Sequence, residues 1–136
     1  MSLIEQLKRQ EGFSARPYRD TVGKLTIGWG RNLDDVGVSS VEAEFLLRND
    51  IFAVDTELAR RLPWTNALDE SRRNVLVNMA FNMGFNGLLG FVNTLLAVEE
   101  ERYDDAAKGM LASKWAKQVG NRAVELAEQM RTGIEK

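Results

Sequence analysis

No cysteine and no histidine occur among the 136 residues, and there are only two prolines. Without cysteine there is no disulfide framework, no thiolate zinc site and no cysteine nucleophile. Without histidine the commonest general base and metal ligand is gone. Chemistry must therefore run on carboxylates, hydroxyls, lysines or the backbone. Long apolar runs are missing too: the longest, residues 88–98, is broken by Asn93 and Thr94 and falls far short of the roughly 20 residues that cross a bilayer. No integral membrane segment is expected. The opening MSLIEQLKRQ lacks the apolar centre of a secretory signal, so synthesis in the cytoplasm is expected. A net charge of −2 with no Lys/Arg block argues against nucleic-acid binding. That charge is unevenly spread, with six basic and three acidic residues in 1–31 but three basic and seven acidic in 32–61.

What is present is enough apolar material, 44%, to fill the core of one globular unit. Ser2 followed by Glu5 is a capping-box pattern, and Leu3, Ile4 and Leu7 recur at helical spacing before Gly12, so a helix is predicted over 3–11. DTVG reads as a turn after Tyr18 and Arg19. KLTIGWG then reads as a strand, with Leu25, Ile27 and Trp29 on one face and Thr26, Gly28 and Gly30 on the other. Two glycines on one strand face mark a close approach by another chain or a ligand, or a bend or bulge. After Arg31 the stretch NLDDVGVSS is loop-like. Ser39 with Glu42 then opens a helix over about 40–62, striped by Leu47, Ile51, Val54, Leu58 and Leu62 and ended by Pro63. Asp69 caps a helix interrupted at Gly84, and further helices are predicted over 87–98, 103–114 and 122–130. Trp29, Trp64 and Trp115 are read as core. There is no internal repeat or low-complexity tract.

The implied class is α+β. A small β-hairpin lobe (about 13–38) and a larger all-helical lobe (about 63–136, with helix 3–11 packing on it) are joined by a long helix (about 40–62) within a single domain of residues 1–136. Such a pair of lobes is expected to leave a cleft. Glu11 at a helix end and Asp20 in a turn are the two carboxylates that can flank a substrate there. Cleavage of a glycosidic bond needs such a pair, one acid to protonate the leaving oxygen and the other to stabilise positive charge or orient water. That chemistry needs neither histidine nor metal, and no cofactor is called for.

The stretch EGFSARPYRDTVGKLTIGWG resembles the catalytic signature of the phage lysozyme family of T-even type, a Glu, an Asp, a Thr and a Gly-x-Gly in that order, met here by Glu11, Asp20, Thr26, Gly28 and Gly30. RRNVLVNMAFNMG, GFVNTL, DDAAKGMLASKW, NRA and RTG follow in family order, while the stretch after Gly30 is shorter than is usual in the family. The resemblance implies a lysozyme-like fold and hydrolysis of the β-1,4 bond between N-acetylmuramic acid and N-acetylglucosamine, with inversion. On that likeness Glu11 is the general acid, and Asp20 with Thr26 places and activates the attacking water. Arg122 of NRA is the partner of the catalytic acid. Gly30, Asn32, Phe81, Thr94 and Gly109 fall at saccharide-contacting positions, with Gly109 standing for an asparagine and Asn32 for an apolar residue. Arg31 replaces a histidine that in relatives pairs with an acid of the helical lobe. The implied partners are peptidoglycan glycan strands and, for passage to the wall after release, a separate holin, with the enzyme a monomer serving bacterial cell-wall lysis. The alternatives are a non-catalytic wall-binding or phage-structural module of the same fold, and a glycosidase for chitin-like polymers.

Overall fold

Ser2 opens the first helix through the reciprocal bonds its pattern implied: its hydroxyl accepts from the Glu5 amide (3.2 Å) while its own amide donates to the Glu5 carboxylate (3.0 Å). The computed structural model describes residues 2–135, and the chain divides into two compact units, Met1–Leu46 and Leu47–Lys136. In the first, α1 (Leu3–Glu11) is followed by β1 (Ser14–Arg19), β2 (Leu25–Gly28) and β3 (Arg31–Asn32) and then by the start of α2 (Ser40–Arg61). The strands form an antiparallel sheet in the order β1-β2-β3, with Thr26 opposite Tyr18 on one side and Asn32 on the other. Pro17 lies in β1, an edge strand whose register shifts between Ser14 and Tyr18, where its missing N–H is tolerated.

Three expectations for this unit are corrected. The strand does not run on through Gly30: it ends at Gly28, and Gly28 and Gly30 take φ of 69° and 85°, which turns the chain back to form β3 out of the first residues after the glycines. The face opposite Leu25 and Ile27, not the apolar one, therefore carries the buried residue, Thr26, 4% exposed, because it sits in the middle strand. Trp29 lies on the turn rather than in a strand and is 49% exposed, so it is not core.

In the second unit α2 continues to Arg61, and Pro63 stops it as expected, opening a short 3-10 helix, Pro63–Ala67. Of the α2 stripe, Leu58 is fully buried and Val54 and Leu62 pack on the core, whereas Leu47 and Ile51 are exposed. Asp69 caps α3 (Glu70–Met83), its carboxylate accepting from the Arg72 amide. The helix expected over 87–98 is two, α4 (Phe85–Leu89) and α5 (Val92–Glu99). The break falls where the Gly90 amide bends in to the Asn86 and Gly87 carbonyls. The helix begun at Tyr103 is α6 (Tyr103–Leu111), shorter than expected because the Ser113 hydroxyl accepts from the Ala116 amide and starts a further helix, α7 (Lys114–Val119). The last, α8, spans Asn121–Thr132. Leu58, Leu76, Met79, Leu88, Val98, Met110 and Met130 are fully buried and form one core drawn from α2, α3, α4, α5, α6 and α8. Trp115 belongs to it, with its indole N–H satisfied by Asn82 Oδ1 at 2.8 Å, and Trp64 packs against it half-buried.

Candidate active site

Glu11 is the last residue of α1, because Gly12 takes a φ of 72° and ends the helix. Its carboxyl group lies against the turn that follows β2: a Cβ added to Gly30 would be 2.9 Å from Glu11 Oε2 and 3.1 Å from its Cδ. One helical turn earlier, the Lys8 ammonium stands 4.5 Å from the centre of the Trp29 ring, and that ring meets Phe13 at 4.9 Å. The last turn of α1 thus touches two consecutive residues, Trp29 and Gly30. Lys8 and Glu11 share one face of α1, as residues three apart do.

Asp20 ends the first strand in a turn of its own making. Its Oδ1 accepts from the amides of Val22 (3.0 Å) and Lys24 (2.8 Å), and its own amide donates to the Lys24 carbonyl (2.9 Å). Both side-chain bonds fall on Oδ1, and Oδ2 has no hydrogen-bond partner among the described residues. The Thr26 hydroxyl also donates to the Lys24 carbonyl, at 2.9 Å. With its proton committed there, Thr26 can only accept from a further partner. A carboxylate oxygen and a hydroxyl lone pair, both acceptors and both held by the backbone of Lys24, suit the two hydrogens of one water molecule. Lys24 was not singled out from sequence, although its place between Asp20 and Thr26, at the end of the turn that joins β1 to β2, is the signal that could have found it.

The remaining candidates fall into separate groups. Asn32 has both ends of its side chain bonded to Asp35: Nδ2 donates to Asp35 Oδ2 (3.0 Å) and Oδ1 accepts from the Asp35 amide (2.9 Å). Arg31 makes a two-pronged ion pair with Glu42. That guanidinium, seconded by the Ser39 amide, holds the Glu42 carboxyl down at a pKa of about 2. In the second unit Arg122 donates twice to Asn78 Oδ1 (2.7 and 3.2 Å) and shares with Asn78 and Phe81 a cavity of about 420 Å³. Thr94 lies against Gly109, where a Cβ would stand only 2.5 Å from the threonine hydroxyl. Here glycine is what makes room for Thr94. A cavity of about 740 Å³ between α6 and α8 contains none of these residues. The structure thus joins Glu11 to Gly30, Asp20 to Thr26, Phe81 to Arg122 and Thr94 to Gly109.

A mostly helical α+β chain with a small three-stranded antiparallel sheet, its Glu at the end of the first helix, its Asp in the first strand turn and its Thr in the middle strand, has the lysozyme-like fold. The phage lysozyme family profile matches residues 8–131, and the chain belongs to that family. It is 30% identical to "Probable T4-type lysozyme 1" of Dictyostelium discoideum over 162 aligned positions, which cover 97% of this chain and 95% of that protein. Identity to "Probable T4-type lysozyme 2" of the same organism is 28%, over the same shares. Against the "Pre-baseplate central spike protein Gp5" of Enterobacteria phage T4 it is 27%, over 98% of this chain and 28% of that protein. The alignments are longer than this chain of 136 residues, so these relatives carry stretches with no counterpart here. Membership supports glycosidase activity of the lysozyme type at the level of the family. Among the described residues no helix is long and apolar enough to cross a membrane.

Proposed function

We propose that this chain is a muramidase that hydrolyses the β-1,4 bond between N-acetylmuramic acid and N-acetylglucosamine in peptidoglycan, with inversion at the anomeric carbon. Glu11 passes its proton to the leaving glycosidic oxygen. Asp20 takes a proton from a water molecule that Thr26 helps to orient, and that water attacks the anomeric carbon from the opposite face of the sugar. Inversion of this kind needs the two carboxyl groups roughly 6.5–9.5 Å apart, to leave room for the water. The observation that carries the reading is the shared support of Asp20 and Thr26: one residue, Lys24, binds the carboxylate through its N–H and the hydroxyl through its C=O. In this reading the protein is made in the cytoplasm and meets the wall after release.

A second reading is a wall-binding or structural module without turnover, favoured by the likeness to a protein named for a baseplate spike. Purified protein added to suspended sacculi separates the two. The muramidase clears them and generates new reducing ends, and Glu11→Gln lowers the rate by roughly 100-fold or more while folding and sacculus binding persist. Binding without clearing by the wild-type chain selects the module. Equal clearing by the Gln variant removes Glu11 from the mechanism.

A further inference from the structure

The loop after β3 is tied to the turn that carries Asp20 by side chains rather than by sheet alone. The Lys24 ammonium donates to Asp35 Oδ1 at 3.1 Å, and the other Asp35 oxygen accepts from Asn32 at 3.0 Å. Asn32 in turn lies opposite Thr26 in the sheet. One residue earlier, Asp34 Oδ2 accepts from the Leu25 amide at 2.8 Å. These bonds close a ring: Asp20 to the Lys24 peptide, Lys24 ammonium to Asp35, Asp35 to Asn32, and Asn32 across the ladder to Thr26, whose hydroxyl returns to Lys24. Thr26 is a member of that ring and Asp20 is bonded to it at the Lys24 amide, so both groups assigned to the water are tied to it.

We infer that Asp35 is a positioning residue for Asp20 and Thr26, acting through Lys24 and Asn32. The inference rests on the proposed roles of Asp20 and Thr26. Lys24 and Asp35 are too solvent-exposed, at 42% and 55%, for their pairing to hold the unit together, since exposed ion pairs contribute little to stability. Their effect is on position instead. Anchoring the ammonium fixes the backbone of Lys24, and that backbone sets where the Asp20 carboxylate and the Thr26 hydroxyl stand. A displacement well under 1 Å at such a pair is enough to slow turnover.

The test uses the full chain with Asp35→Asn, Lys24→Met, the double variant and Asp35→Glu, measured on sacculi and by amide hydrogen exchange. Each single variant is expected to lose kcat by roughly 2- to 5-fold, the most that an exposed ion pair can bias a position, with KM nearly unmoved and an unchanged thermal midpoint. Because both break the same tie, the double variant is expected to be no slower than the worse single one. Asp35→Glu, which can still reach the ammonium, restores most of the rate. The amides of Val22 and Lys24, which donate to Asp20, exchange faster in Asp35→Asn while those of α3 do not. Wild-type kcat in Asp35→Asn, additive losses in the double variant, or unaltered exchange at Val22 and Lys24 would each overturn the positioning role. An inactive wild-type chain would instead overturn the muramidase reading, and the exchange measurement would still decide whether the tie holds the turn.

Discussion

Gly30→Ala puts the geometry of Glu11 to the sharpest test. Two effects follow from one methyl group. The backbone at position 30 has φ of 85°, and holding an L-residue there costs about 1–2 kcal/mol. The new Cβ would also stand 2.9 Å from Glu11 Oε2 and 3.1 Å from Cδ, against the roughly 3.5–4.0 Å of an ordinary contact. The Glu11 side chain is flexible and can yield, so the clash is relieved by moving the carboxyl group about half an ångström or more. A misplacement of 1 Å costs on the order of 100-fold in rate, so a loss of roughly tenfold is expected here. Gly84→Ala is the control: φ is 84° and nothing lies within 4 Å of the added carbon. Both variants should lose about 1–3 kcal/mol in denaturant unfolding, but only Gly30→Ala should lose turnover per folded molecule in the sacculus assay. Full turnover in Gly30→Ala, or an equal loss in Gly84→Ala, refutes the claim that Gly30 is a glycine because of Glu11.

Two further outcomes follow. Glu42 titrates at about 2 in the folded chain against its ordinary 4.5, chiefly through Arg31. For a carboxyl lowered on folding, the stabilisation is complete above the ordinary value and disappears as pH falls through the folded one. The thermal midpoint should therefore drop between pH 4.5 and 2, and Arg31→Ala should flatten that drop. Added salt should weaken the difference, since both side chains are more than a third exposed. Parallel melting curves for the two proteins over that range would discount the pair. Arg72 donates to the carbonyls of Met130 (2.7 Å) and Arg131 (3.1 Å) at the end of α8 and lies 3.6 Å from the Tyr103 ring centre. Arg72→Ala should cost roughly 2–3 kcal/mol in denaturant unfolding, and Arg72→Lys should recover little of it because a lysine lacks the planar fork.

Sequence alone determined the features whose partners lie within one turn of chain. The Ser2–Glu5 and Ser39–Glu42 boxes and the Asp69 cap join residues three apart, and the Pro63 stop depends only on the preceding turn of its own helix. The order of Glu11, Asp20 and Thr26 was legible in the same way, since a helix end, a turn and a strand each announce themselves locally. The tertiary structure decided the rest. Whether the chain after Ile27 continues as a strand or turns back is set by φ at two glycines, a choice glycine leaves open. The exposure of Trp29 followed from that turn. Arg31 meets Glu42, Lys24 meets Asp35 and Arg72 meets Met130 across separations of 11 and 58 residues, which no helical or strand period encodes. Contacts at that range form only after the sheet and the helical core have brought their elements together, because each must offset the entropy of closing the chain between its partners.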